Sequence, residues 1–174
     1  VMRADWVAKR PRAALALTAA VIEAQQWADK AENKAEVAGL LSRSNGFNSP
    51  ASSIEPRLLG NVDYGDGRTV KDSPARMKFW AGHASYPFQS HELWFLTECM
   101  RWNMLPQHMD TRAAIAAINR EDVWRSAAAA AGVAASDMPA GTSRGKETFF
   151  DGQVFDPADP AAYLNGLAIK AAAS

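Results

Sequence analysis

The stretch from Phe47 to Arg76 carries Pro50, Pro56, Gly60, Gly65, Gly67 and Pro74, and no helical or strand period survives that punctuation for long. It leaves room for one short helix, near Ser52 to Leu59. A largely irregular segment of this length is uncommon in a compact domain unless it has a task or is pinned by its neighbours. The expectation is that it wraps another lobe, so that the chain is part of something larger.

Helical periods flank this segment on both sides. Pro11 sits where proline is tolerated, in the first turn of a helix, and Leu17, Ala20, Val21, Ala24, Trp27 and Ala28 follow at spacings of three and four. That spacing predicts a helix with those residues as its buried stripe. A second helix is expected from Lys34 to Ser42, with Val37, Leu40 and Leu41 on one side, stopped by Ser44-Asn45-Gly46. The two read as a helical hairpin. Val1 to Arg10 has no leader-like pattern, and Asp5, Trp6 and Val7 run straight into the helical period. This also reads as a start inside a folded protein.

Downstream, Ser90 is a plausible N-cap, Glu92 falls in a first turn, and Leu93, Leu96, Thr97, Met100 and Met104 form a stripe. This helix is expected to be the core of the chain. Asp110 can cap a helix carrying Ile115 and Ile118. Asn119 with Asp122 can start another carrying Val123, Trp124 and Ala127, with Gly132 closing it. Phe149-Phe150, Asp151-Gly152 and Val154-Phe155 read as a hairpin around a type I′ turn, and Asp159-Pro160 opens a last helix through Tyr163, Leu164 and Leu167. Residues 1–174 therefore read as a single, mostly helical unit with few short strands.

With 48% hydrophobic residues in 174, the chain can bury a real core. Nineteen Lys plus Arg balance nineteen Asp plus Glu, which leaves no positive field to attract nucleic acid. No run of apolar residues is long enough to span a bilayer; the alanine-rich run from Ala13 to Ala24 is interrupted by Thr18 and Glu23. The lone Cys99 can form neither an internal disulfide nor a cysteine-paired zinc site and reads as a small buried residue.

Motifs for chemistry are weak. His91-Glu92 begins the helical zinc-protease pattern, but position 95 is Phe where the second histidine must stand, so no metal site is expected and His91 reads as a capping or hydrogen-bonding group. The Asp63, Asp66, Gly65, Gly67 cluster lacks the closing glutamate of a calcium loop and reads as a turn. Gly141-Thr142-Ser143-Arg144-Gly145 offers parts for an anion nest but not the P-loop spacing; the plainer reading is a structured loop with Arg144 paired to a carboxylate. The six tryptophans are expected to pack the core, with Trp80, Trp94 and Trp102 as the candidates for a cleft or lobe interface. Together with Arg144 these are the candidate ligand-binding residues. No catalytic residue and no cofactor is indicated.

Several blocks carry a resemblance: Lys78-Phe79-Trp80, Ser85-Tyr86-Pro87-Phe88, Ser90-His91, Trp94-Phe95-Leu96-Thr97-Glu98 and Arg101-Trp102. Asn119 to Arg125, Thr142 to Gly145, Glu147 to Gly152 and Phe155-Asp156-Pro157 continue it in order and spacing, as do Glu23 to Trp27 and Gly60 to Arg68 upstream. The sequence resembles the C-terminal region of nitrate- and bicarbonate-binding proteins of ABC transporters. That resemblance implies an α/β, two-lobed fold of the class II periplasmic-binding-protein kind. A small inorganic anion would be held between the lobes and delivered to a permease and its ATPase, on the outer side of the inner membrane. It also implies that most anion contacts lie before the region this chain covers. Similar domains serve as cytoplasmic nitrate sensors or as regulatory extensions of transporter ATPases, which is the alternative reading; fold alone does not choose between them.

Overall fold

Pro11 divides the first helical run in two. Arg10, preceding a proline, is pushed out of the helical region (φ −136°, ψ 56°), so one helix stops at Lys9 and the next begins with Pro11, where a missing N–H costs nothing. The computed structural model describes residues 1–44 and 48–169. In chain order its elements are α1 (Ala4–Lys9), α2 (Pro11–Asp29), α3 (Lys34–Arg43), α4 (Ala51–Leu58), β1 (Val62–Asp63), β2 (Thr69–Val70), α5 (Gln89–Arg101), α6 (Thr111–Ile118), α7 (Glu121–Ala130), β3 (Glu147–Thr148), β4 (Val154–Phe155) and α8 (Pro160–Gly166). The strands form two separate antiparallel pairs, β1 with β2 and β3 with β4.

Two small cores organise the helices. In the first, Ile22 of α2 meets Trp124, Ala127 and Ala128 of α7, with Tyr86, Phe88 and Val133 closing over them. Ala127 and Ala128 are wholly buried; their small side chains let the two helix axes approach closely. Trp124 lies at the centre, stacked on Trp80 (centroids 6.0 Å apart) and edge-on to Tyr86 (4.9 Å). Its indole N–H donates to Ser85 Oγ at 2.9 Å, which meets the need of a buried polar group. The second core joins Val37 and Ala38 of α3 to Ile54 and Leu58 of α4, with Trp27, Ala28 and Phe79 packed against it. α2 thus bridges both cores.

Several expectations need correction. In α2 the buried residues are Ala14 and Ile22, with Leu15 and Ala19 packed beside them, while Leu17 and Val21 are each 54% exposed. The helix is apolar nearly all round, so spacing alone placed the stripe rightly at Trp27 and Ala28, which pack against the second core, but on the wrong side at Leu17 and Val21. On α3, Val37 is buried but Leu40 is exposed. α5 is not the core: its buried residues are Ser90 and Thr97, and Met104 lies beyond its end and is exposed. Ile118 of α6 is exposed as well.

Ser90 is not an N-cap; α5 begins one residue earlier, after Phe88. Gly152 has φ 84° but Asp151 does not enter the left-handed region, and Phe149 N–H donates to Gln153 O at 2.8 Å, so the hairpin closes through a longer loop than a type I′ turn. The stretch that reads as irregular also holds the β1–β2 hairpin, with Val62 opposite Val70 and Asp63 opposite Thr69. Asn45, Gly46 and Phe47 lie outside the described residues.

Other readings hold. Asp110 accepts from Ala113 N–H at 2.9 Å and Asp159 from Ala162 N–H at 3.0 Å, both as helix caps. Gly132 follows the C-cap of α7 at φ 75°, whereas the expected Asn119–Asp122 capping arrangement does not form: the N-cap is Arg120, Asn119 Oδ1 accepts from Glu121 N–H, and Asp122 pairs with Arg120. Asp63 and Asp66 bond the backbone of their own turn, at Gly65 N–H and Arg68 N–H.

Candidate functional site

Several of the aromatic residues that carry the resemblance are built into hydrogen-bonded clamps. Asp29, the last residue of α2, accepts from three successive backbone N–H groups, Phe79 (3.0 Å), Trp80 (2.8 Å) and Ala81 (2.7 Å). Lys34 Nζ lies 3.4 Å from the same carboxylate, donates to Ala28 O and sits over the Phe79 ring. Burial pushes the Asp29 carboxyl up, but the three N–H donors and Lys34 outweigh it and hold its pKa below the ordinary value. This clamp pins the end of the irregular segment onto α2. Trp80 is thereby fixed by its backbone at Asp29 and by its ring on Trp124.

A second clamp centres on Glu98 of α5. Its carboxylate accepts from Tyr163 Oη of α8 (2.8 Å), from Arg101 Nη1 and from Trp102 Nε1 (3.1 Å). Trp94 Nε1 donates to the same Tyr163 hydroxyl at 3.2 Å, and its ring meets Phe95 and Phe149. The Arg101 guanidinium lies 4.6 Å from the Trp102 ring. Trp94 and Trp102 therefore share one network, while Trp80 belongs to another part of the fold.

Arg144 follows the plainer reading. Its Nε lies 3.8 Å from Glu147 Oε2, its guanidinium sits over Phe88, and its backbone N–H donates to Ser90 Oγ at 3.1 Å. Glu147 also meets His91 Nε2 at 2.7 Å. Ser90, His91, Trp94, Phe95, Glu147, Phe149 and Phe155 line a pocket of about 220 Å³. Ser90 and His91 thus serve the 142–147 loop and β3. Among the described residues, no three His, Cys, Asp or Glu side chains are grouped to hold a metal ion.

Beside this pocket, α5, α6 and the Thr142–Ser143 loop frame a cleft of about 420 Å³. Gln89 N–H donates to Thr142 O at 2.8 Å, which fixes the loop on the start of α5. Leu93, Ile115 and Pro157 form an apolar floor, and Gln89, Thr111, Arg112 and Ser143 supply polar groups. Hydroxyls and a guanidinium over an apolar floor can hydrogen-bond a small polar or anionic group. Of the sequence candidates none but the Arg144 loop touches this cleft. Arg112 had no local signal beyond its place just after the Asp110 cap.

Two carboxylates are poorly served. Glu92 Oε2 and Glu121 Oε1 are buried with no hydrogen-bond partner among the described residues. Burial raises the Glu92 pKa, Glu121 raises it further by like charge, and a hydrogen bond from Asn119 only partly offsets both. Across the same junction the Tyr86 hydroxyl is raised by burial and by Glu121, with Arg125 acting against them. Arg125 also donates to the Tyr86 hydroxyl.

Comparison with known proteins defines the class first. The chain superposes on the crystal structure of the periplasmic nitrate-binding protein NrtA from Synechocystis PCC 6803 with a TM-score of 0.91 at 50% identity, covering 97% of this chain and 44% of that one. The fold is that of part of a periplasmic binding protein. The particular kinship follows from sequence: 52% identity over 97% of this chain to the nitrate/nitrite binding protein NrtA of Nostoc sp. PCC 7120. Identity is 45% over 98% of the chain to the bicarbonate-binding protein CmpA of Synechococcus elongatus PCC 7942. The model of the NMT1-like family matches residues 1–42. The resemblance to nitrate- and bicarbonate-binding proteins thus extends over nearly the whole chain, and the chain spans 38% of the length of the first relative and 40% of the second. No helix among the described residues is long and apolar enough to cross a membrane.

Proposed function

We propose that this chain is the C-terminal portion of the substrate-binding component of an ABC transporter, which captures a small oxyanion such as nitrate, nitrite or bicarbonate without transforming it. The observation that carries the reading is the superposition on a nitrate-binding protein at 50% identity and a TM-score of 0.91. The full-length protein works outside the inner membrane, free in the periplasm or held by an anchor, and passes its anion to a permease driven by an ATPase.

In this reading the chain is mainly scaffold. Of the four candidate residues, Trp80 packs the core, Trp94 ties α5 to α8 through the Tyr163 hydroxyl, Trp102 bonds Glu98 one turn back, and Arg144 is occupied by Glu147. Trp94 lines one pocket, the Thr142–Ser143 turn just before Arg144 lines the adjoining cleft, and Trp94 and Arg144 remain the proposed points of contact with anything seated there. Differential scanning fluorimetry of the full-length protein tests the function. An anion at a hundred times its Kd adds about 2.7 kcal/mol to folding stability, so the melting temperature must rise with at least one of nitrate, nitrite or bicarbonate and not with chloride. No rise with any of the three refutes the proposal.

A further inference from the structure

The outer face of α2 carries an observation that neither core explains. Ala13, Ala16, Leu17, Ala20, Val21 and Ala24 are all exposed, and at 3.6 residues per turn they fall in one sector of about 140° running about 17 Å along the helix. The opposite sector holds Ala14, Leu15, Ala19 and Ile22, packed in the first core. A helix that is apolar on both faces is one that is buried on both faces. Arg12 and Glu23 stand at the edge of the outer sector and leave its interior without charge. The flanking alanines permit close backbone approach around the two larger side chains.

We infer that this face is the seat on α2 for the other lobe of the full-length polypeptide, which covers Leu17 and Val21 with an apolar sheet or helix surface. The inference rests on the reading of this chain as part of a two-lobed binding protein. Its occupant follows from two facts. The chain reproduces a solved relative at a TM-score of 0.91 while covering only 44% of it, so more than half of that polypeptide lies outside the matched part. The face itself is uncharged, which suits an intramolecular core contact rather than a steered, reversible encounter.

The test replaces Leu17 with a photo-cross-linking phenylalanine analogue in the full-length protein, with cross-linked peptides identified by mass spectrometry. The expected product runs as a monomer and joins Leu17's peptide to one outside the 174 residues of this chain. A cross-link between two copies, one confined to these 174 residues, or none at all overturns the inference. If the bulky analogue prevents folding, Leu17→Cys replaces it, read as maleimide labelling at the peptide level. Labelling is expected to be at least 100-fold slower in the native protein than in guanidinium at every protein concentration. A native rate within tenfold of the denatured one, or protection lost on dilution, overturns the inference. Stabilisation by nitrate, nitrite and bicarbonate is measured on the same samples: a correct cross-link without a response to any of the three leaves this inference standing and removes the functional one.

Discussion

Replacing Asp29 by alanine tests the clamp that joins α2 to the start of the aromatic region. The carboxylate and its partner Lys34 are 14% and 5% exposed, so neither charge is screened much by water. The substitution removes the acceptor for three N–H groups and leaves the Lys34 ammonium with only the Ala28 carbonyl at hydrogen-bond distance. Breaking a buried pair from one side costs about 3–5 kcal/mol, because the remaining charge stays desolvated. Taking the lower end, since Ala28 O still solvates the ammonium, the expected loss is about 3 kcal/mol. Asp29→Asn keeps one acceptor and is expected to lose less, about 2 kcal/mol, by the same argument.

Urea unfolding of the protein followed by tryptophan fluorescence measures this, since Trp27, Trp80 and Trp124 all lie near the affected packing. The Asp29 pKa is depressed by folding, so its contribution is present above the unfolded value near 3.9 and is lost as pH falls through the lower folded value. The gap between wild type and Asp29→Asn should therefore be full at pH 7 and shrink below about pH 4. A loss under about 0.5 kcal/mol for Asp29→Ala, the range of ordinary surface substitutions, would show that the clamp is not what pins Phe79 to Ala81.

Glu92→Gln is expected to stabilise the protein at pH 7 and to have little effect at pH 4. A carboxyl whose pKa is raised in the fold gives stability below its unfolded pKa and loses it as pH rises through the folded one; thermal melts at the two pH values decide this, and equal effects would contradict it. Glu98→Ala should cost about 2–3 kcal/mol by stripping Tyr163, Arg101 and Trp102 of their shared acceptor; Tyr163→Phe, which keeps the ring, should cost about 1 kcal/mol in the same denaturation series. At Gly60 the backbone has φ 85° and a Cβ would stand 2.8 Å from Ser73 N, whereas at Gly65, φ 76°, it would meet nothing. Gly60→Ala should therefore destabilise distinctly more than Gly65→Ala, whose cost is about 1 kcal/mol, and equal melting temperatures would refute the close approach.

What could be read from sequence and what could not divide along physical lines. Asp110 and Asp159 were legible because a cap is a local bond, made within three residues. Gly132 was legible because few other residues tolerate its backbone angle. The buried face of α2 was not: when both faces are apolar, the period is present but its phase is decided by what packs against it. Asp29 gave no signal at all, since its three donors are fifty or more residues away in sequence. The aromatic blocks were visible as a pattern, but part of their role in the fold, the bonds that join Trp94 and Glu98 to the Tyr163 hydroxyl, depends on α8 docking against α5.

In the proposed function this chain completes a protein that binds a small oxyanion. Isothermal titration calorimetry of the purified full-length protein with nitrate, nitrite and bicarbonate tests it most directly. Saturable heat with at least one of them, at one anion per protein, is the expected result. Buffer-like dilution heats with all three, from protein shown to be folded, would contradict it.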